Sequence, residues 1–204
     1  MTELRVWRAH EKDRETAFQL VQEYNDAVDV MLRDSPESFQ KDYFRPGAGL
    51  WLAQTGRQVV GCIALRPLRT GEKAAEIKRL YVRPEFRGSG AALALLVALE
   101  QYAEASSYEW LYLDSKDDLK AALRFYDRHG YEACERYNHN EQATVFLRKA
   151  LHPRAERMHD KWHWVLNLKS YLVTHVSLRR FCSAEGRLIY NPTRRISKKT
   201  NLLS

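Results

Sequence analysis

The stretch Glu76-Ile77-Lys78-Arg79-Leu80-Tyr81-Val82-Arg83-Pro84-Glu85-Phe86-Arg87-Gly88-Ser89-Gly90-Ala91-Ala92 orders a strand, a short glycine-bearing loop and the start of an apolar helix. Pro84 biases Arg83 away from the helical region and so ends the strand. A loop of this kind aims several backbone amides at one point, where the dipole of the following helix adds partial positive charge. A phosphate or pyrophosphate is the natural guest there. Glycines pair up in many loops, so the meaning of Gly88 and Gly90 depends on what flanks them.

Upstream, Val6–Arg8 reads as a short strand. Residues 12–32 place Phe18, Val21, Tyr24, Ala27, Val28 and Met31 at helical spacing. Residues 34–48 read as irregular and aromatic. Leu50–Gln54 and Gln58–Leu65 flank Thr55-Gly56-Arg57 as a hairpin. Pro67–Gly71 reads as a loop, and Ala75–Val82 as the strand of the opening stretch.

Downstream, a helix is expected over residues 89–104, a strand over Trp110–Leu113 and a helix over Asp117–Arg128, stopped by His129-Gly130. Strands at Tyr131–Tyr137 and Thr144–Arg148 follow. Strands interleaved with helices predict a mixed α/β sheet.

Bulk properties narrow the class. A chain of 204 residues that is 45% hydrophobic and 29% charged has the make-up of an ordinary globular domain with an appendage. The net charge of +7 is unevenly distributed. Residues 1–151 carry 22 Lys+Arg against 23 Asp+Glu, whereas residues 152–204 carry 11 against 3. The basic character therefore belongs to the tail, which needs its own account. Cys62, Cys134 and Cys182 form no CxxC and no even-numbered framework, as expected of reduced thiols. The N-terminus has no signal-peptide pattern, and the longest apolar run, Ala91–Leu99, is too short to span a bilayer. A soluble, cytoplasmic protein is expected.

Together these features resemble the GNAT superfamily of N-acetyltransferases over about residues 4–151. The acetyl-CoA-binding pattern Arg/Gln-x-x-Gly-x-Gly/Ala is matched by Arg87-Gly88-Ser89-Gly90-Ala91-Ala92. The family's Ala-x-x-x-Tyr-x-x-x-Gly-Phe pattern is similar to Ala122…Tyr126…Gly130-Tyr131. The hairpin ending Gly61-Cys62-Ile63-Ala64-Leu65 looks like the family's second and third strands.

The resemblance implies a mostly antiparallel sheet with a splayed central strand pair, flanked by helices and followed by a basic, aromatic-containing extension over 152–204, partly disordered. It implies transfer of acetyl from acetyl-CoA directly to a primary amine of a small molecule or peptide, with no metal. Leu80, Tyr81 and Val82 would meet the pantetheine arm, and Arg87, Gly88, Ser89, Gly90, Ala91 and Ala92 the diphosphate. Tyr126 would protonate the departing thiolate, and Phe125 would lie against the cofactor. Glu76 is the candidate base, against a reading as a strand-end carboxylate paired with Lys78 or Arg79 and facing solvent.

Where the family often has an asparagine, this chain has Leu119, with Ser115 or Asp114 as substitutes. The acceptor would meet Tyr24, Tyr43, Arg45, Tyr137 and Asn138, a set suited to a small metabolite carrying a carboxylate. The competing reading is a non-catalytic acyl-CoA-binding or regulatory module whose tail contacts a partner or nucleic acid. No nucleic-acid recognition module is legible, and His159 and His163 lack further metal ligands. A homodimer stays open.

Overall fold

The computed structural model describes residues 3–151 apart from residue 32 and residues 69–72. The expectations for 152–204 lie outside the described residues, as does most of the loop expected at Pro67–Gly71. The chain runs β1 (Leu4–Arg8), α1 (Arg14–Ala27), α2 (Pro36–Tyr43), β2 (Gly49–Thr55), β3 (Gln58–Pro67) and β4 (Ala74–Val82). It continues through α3 (Ala91–Ala105), β5 (Trp110–Ser115), α4 (Lys120–Arg128), β6 (Glu132–Ala133) and β7 (Val145–Ala150).

Among the described residues the strands form one sheet in the order β1-β2-β3-β4-β5-β7-β6. The β4–β5 pair is parallel and every other pair antiparallel.

Period-two alternation in the central strands builds two cores. Trp51, Ala53, Ile63 and Leu65 pack with Leu95, Leu96 and Leu99 of α3 on one face. Their neighbours Leu50, Leu52, Cys62 and Ala64 pack with Leu20 and Val21 of α1 and Phe39 and Tyr43 of α2 on the other. A sheet covered on both faces needs strands that are apolar in runs rather than in alternation, as β2 is over residues 49–53 and β3 over residues 59–65. Burying each large aliphatic side chain of α3 is worth roughly 1.5–3 kcal/mol.

Several boundaries differ from expectation, each for a local reason. The first helix stops at Ala27 because Asp29 takes φ 52°, in the left-handed region. The segment expected to be irregular contains α2, which Ser35 caps by accepting from the Ser38 amide at 3.2 Å, with Pro36 at the first helical position. The strand expected at Tyr131–Tyr137 shrinks to Glu132–Ala133. Past it, Arg136 donates to the carbonyls of Asn140 and Ala143, both at 3.0 Å, and holds the chain in a loop. No helix of the described residues is long and apolar enough to cross a membrane.

Candidate active site

The site begins where two strands part. β4 and β5 pair only at Ala74–Trp110, Ala75–Leu111 and Glu76–Tyr112. Beyond that, β5 stays with β7 as far as Ser115, and β4 stays with β3. Opposite β3, the register slips between Cys62 and Ala64, so β4 has one extra residue there, and Arg79 takes φ 58°. Such a bulge twists the strand locally and frees backbone from the ladder. The slot between the strands is a cavity of about 970 Å³, lined by Leu80, Tyr81 and Val82 on one side and Leu113, Asp114 and Ser115 on the other.

Arg87, Gly88, Gly90, Ala91 and Ala92 close one end of the slot. Gly88 and Gly90 have φ of +80° and +87°, and a Cβ at either would meet nothing within 4 Å. Glycine is required there by backbone conformation, and the space beside it is open to a ligand. The amides of Arg87 and Ser89 bond to the carbonyls of Pro84 and Phe86. Those of Gly88, Gly90, Ala92 and Leu93 are not taken up by backbone carbonyls among the described residues, the last two because they lie in the first turn of α3. Ser89 does not line the cavity: its hydroxyl sits 3.4 Å from the Ala91 amide, bracing the loop from within.

From α4, Phe125 and Tyr126 also line the slot. The Tyr126 ring sits edge-on to Phe125 and Tyr131, at 5.5 and 5.2 Å between centroids. Its hydroxyl has no hydrogen-bond partner among the described residues. Burial pushes its pKa well up, and Tyr24 and Asp114 push it the same way. Tyr126 therefore holds its proton throughout the physiological range, as an acid must before it donates.

A second cavity, of about 780 Å³, adjoins the slot and shares Tyr24, Lys78, Arg79, Asp114 and Ser115 with it. Among the described residues, Asp114 is the only carboxylate lining both. Its Oδ1 accepts from Lys78 Nζ at 2.9 Å, and its Oδ2 from Asn138 and Asn140 at 2.8 and 3.0 Å. Burial alone would raise its pKa; Lys78 and the two amides outweigh that and leave it below the usual carboxylate value.

Glu76 occupies a different place from the one expected of a base. It is fully buried and lines neither cavity. Its cross-strand partner Arg66 donates to Oε2 at 2.6 Å, while Tyr137 and Asn138 donate to Oε1 at 2.9 and 3.0 Å. Lys78 completes the shell at 3.4 Å. Four donors thus converge on this one buried carboxylate.

Tyr43 is a core residue set edge-on to Phe39, and Arg45 lines neither cavity. Tyr137 is held between Tyr112 and Phe146 with its hydroxyl on Glu76. These three therefore lie outside the expected acceptor wall: Tyr43 is taken up by core packing and Tyr137 by the buried network, while Arg45 has a buried Nε with no hydrogen-bond partner among the described residues. Tyr24 and Asn138 do line the second cavity. Lys78 and Asp114 as a facing pair were missed; a parallel register of Glu76 on Tyr112 would have set them opposite each other two residues on. For Arg79, Lys116 and Gln142, which also line this cavity, the sequence carried no signal.

A family model described as the acetyltransferase (GNAT) family matches residues 10–131. An uncharacterised N-acetyltransferase of Schizosaccharomyces pombe is 40% identical over 86 residues, which are 42% of this chain and 52% of the relative. The chain spans about half the length of the curated relatives it matches first. A GNAT-family acetyltransferase structure from Staphylococcus aureus superposes with a TM-score of 0.64 at 17% identity, covering 74% of this chain and 100% of the other. The N-acetylglutamate synthase of Neisseria gonorrhoeae, solved with coenzyme A and N-acetyl-glutamate, gives 0.61 at 17% identity over 74% of this chain and 36% of its own. These two likenesses establish the fold.

Proposed function

The chain belongs to the GNAT acetyltransferase family, and from that premise we propose that it moves an acetyl group from acetyl-CoA directly to a primary amine of a small molecule or peptide. The observation that carries this is the convergence, on one slot, of the unpaired amides around Gly88 and Gly90, the freed backbone of β4 and the phenol of Tyr126. The loop amides and the N-terminal end of α3 hold the diphosphate. The edge of β4 past Lys78 receives the pantetheine arm as an added strand. Acetyl-CoA supplies the activated thioester.

The amine reaches the slot through the second cavity. As its lone pair forms the C–N bond, the C–S bond breaks and Tyr126 gives its proton to the departing sulfur. The nitrogen becomes strongly acidic as it bonds, so even a carboxylate of low basicity can take its proton. We assign that part to Asp114, which faces both cavities, and give Glu76 the task of holding Lys78 and Asn138 in place. The proton on Asp114 then restores Tyr126 through solvent, which closes the balance.

The test is an acceptor screen with acetyl-CoA, following free thiol over amines, amino acids, polyamines and peptides. Thiol release with an acetylated amine as product is the expected result. Failure to bind acetyl-CoA in a calorimeter would refute the reading.

A further inference from the structure

Two chain segments wall the acceptor cavity. One follows α1 and contributes Val28, Val30, Met31, Arg33 and Asp34; the other precedes β7 and contributes residues 138–143. The Gln142 side chain ties them together. Its Nε2 donates to the Asp29 carbonyl at 2.9 Å, and its Oε1 accepts from the Met31 amide at 2.9 Å. Both ends of one amide are thus used to hold a single stretch of the opposite wall, in which Asp29 already takes a left-handed φ of 52°.

The tie is anchored behind. The Gln142 amide donates to Asn140 Oδ1 at 3.2 Å, and Asn140 Nδ2 donates to Asp114. Lys116, just past β5, and Arg79 of β4 fix the same segment after α1 to the sheet: Lys116 Nζ donates to the Val28 carbonyl at 2.7 Å, and Arg79 pairs with Asp34 at 2.9 Å.

A lysine in mid-chain continues as backbone on both sides, so reaching a buried reaction centre takes an open trough between the walls. A cross-tie between the walls obstructs that trough but leaves room for a compact molecule, and about 780 Å³ is the size of a small-ligand pocket. Arg33, Arg66, Lys78, Arg79 and Lys116 stand with Asp34, Asp114 and Glu141 in the lining, five cations to three carboxylates, which suits a small amine that also carries a carboxylate.

We infer that the acceptor is a small free amine of about amino-acid size rather than a lysine within a polypeptide, and that Gln142 sets this choice. The inference rests on the acetyl-transfer reading and names the substrate class of that same site.

The test compares wild type with Gln142→Ala. The free amines are lysine and other small amines, and the peptide is an N-blocked heptapeptide with lysine at its centre. Thermal unfolding confirms that the variant is folded, and Gln142→Glu, which keeps the length but loses the donor to Asp29, serves as a second variant. Wild type should prefer the free amine in kcat/KM by on the order of thirtyfold or more. Gln142→Ala should cut that preference on the order of tenfold by raising the peptide rate, and Gln142→Glu should move it in the same direction.

Equal use of peptide and free amine by wild type, or a preference unmoved in both variants, overturns the inference while leaving acetyl transfer intact. Absence of acetyl-CoA binding overturns acetyl transfer and this inference with it.

Discussion

Lys78 of β4 reaches Asp114 of β5 at 2.9 Å, just past the point where the backbones of these two strands cease to pair. The ion pair replaces backbone hydrogen bonds as the link across the splay, and both residues line both cavities. It lies at the junction of the slot and the second cavity. Its side chains are only 13% and 6% exposed, so solvent screens the pair far less than a surface one. Glu76 sits behind it and meets Lys78 at 3.4 Å.

Asp114→Asn tests this junction. The variant should bind acetyl-CoA as wild type does and lose acceptor turnover, on the order of a hundredfold for removal of a general base. Stability carries a second signature. The folded-state pKa of Asp114 is lowered, so its contribution is present above the unfolded carboxylate value of about 3.9 and disappears as pH falls through the lower folded value. Urea unfolding should show the variant less stable than wild type at neutral pH, with the gap closing towards pH 3. A gap independent of pH would rule out the ionised Asp114 described above.

Tyr126→Phe keeps the ring that packs on Phe125 and Tyr131 and removes only the hydroxyl. Turnover should drop on the order of a hundredfold, with acetyl-CoA affinity and melting temperature nearly unchanged. Weaker cofactor binding at unchanged turnover would assign the residue to packing alone.

Gly90→Ala separates conformation from space. A Cβ there meets no atom within 4 Å, so the cost is backbone strain at φ +87°, about 1–2 kcal/mol. Gly90→Trp adds bulk to the same open region and should abolish acetyl-CoA binding in calorimetry. Normal binding by the tryptophan variant would show that the diphosphate lies elsewhere.

Glu76→Gln removes the charge that Arg66 and Lys78 share. Both cations keep a second carboxylate, Asp42 at 3.5 Å and Asp114 at 2.9 Å, so the loss should sit near the low end for breaking a buried pair, about 3 kcal/mol. A lower urea midpoint at unchanged slope would measure it. Residual turnover in the folded variant well above that of Asp114→Asn would separate an anchor from a base.

Local chemistry made much of this protein legible in advance. Positive φ at Gly88 and Gly90, the apolar run of α3 and the alternation in β2 and β3 are each dictated by neighbours within a few residues, so the loop and the helix after it could be read directly, while the slot was implied only by the family resemblance. Even α2 had a local signal in Ser35-Pro36 that was open to notice. The acceptor side followed another rule. Gln142 meets Met31 across 111 residues and Glu76 meets Asn138 across 62, and no spacing pattern encodes such meetings. Whether Tyr43 or Tyr137 faced a ligand or the interior depended on which buried partners the fold brought to them. Sequence alone determined a strand, a glycine-bearing loop and a helix in that order, because backbone conformation is a short-range property. Which carboxylate lines both cavities was decided only when β4 and β5 came together and then parted, because burial and charge pairing depend on distance in space.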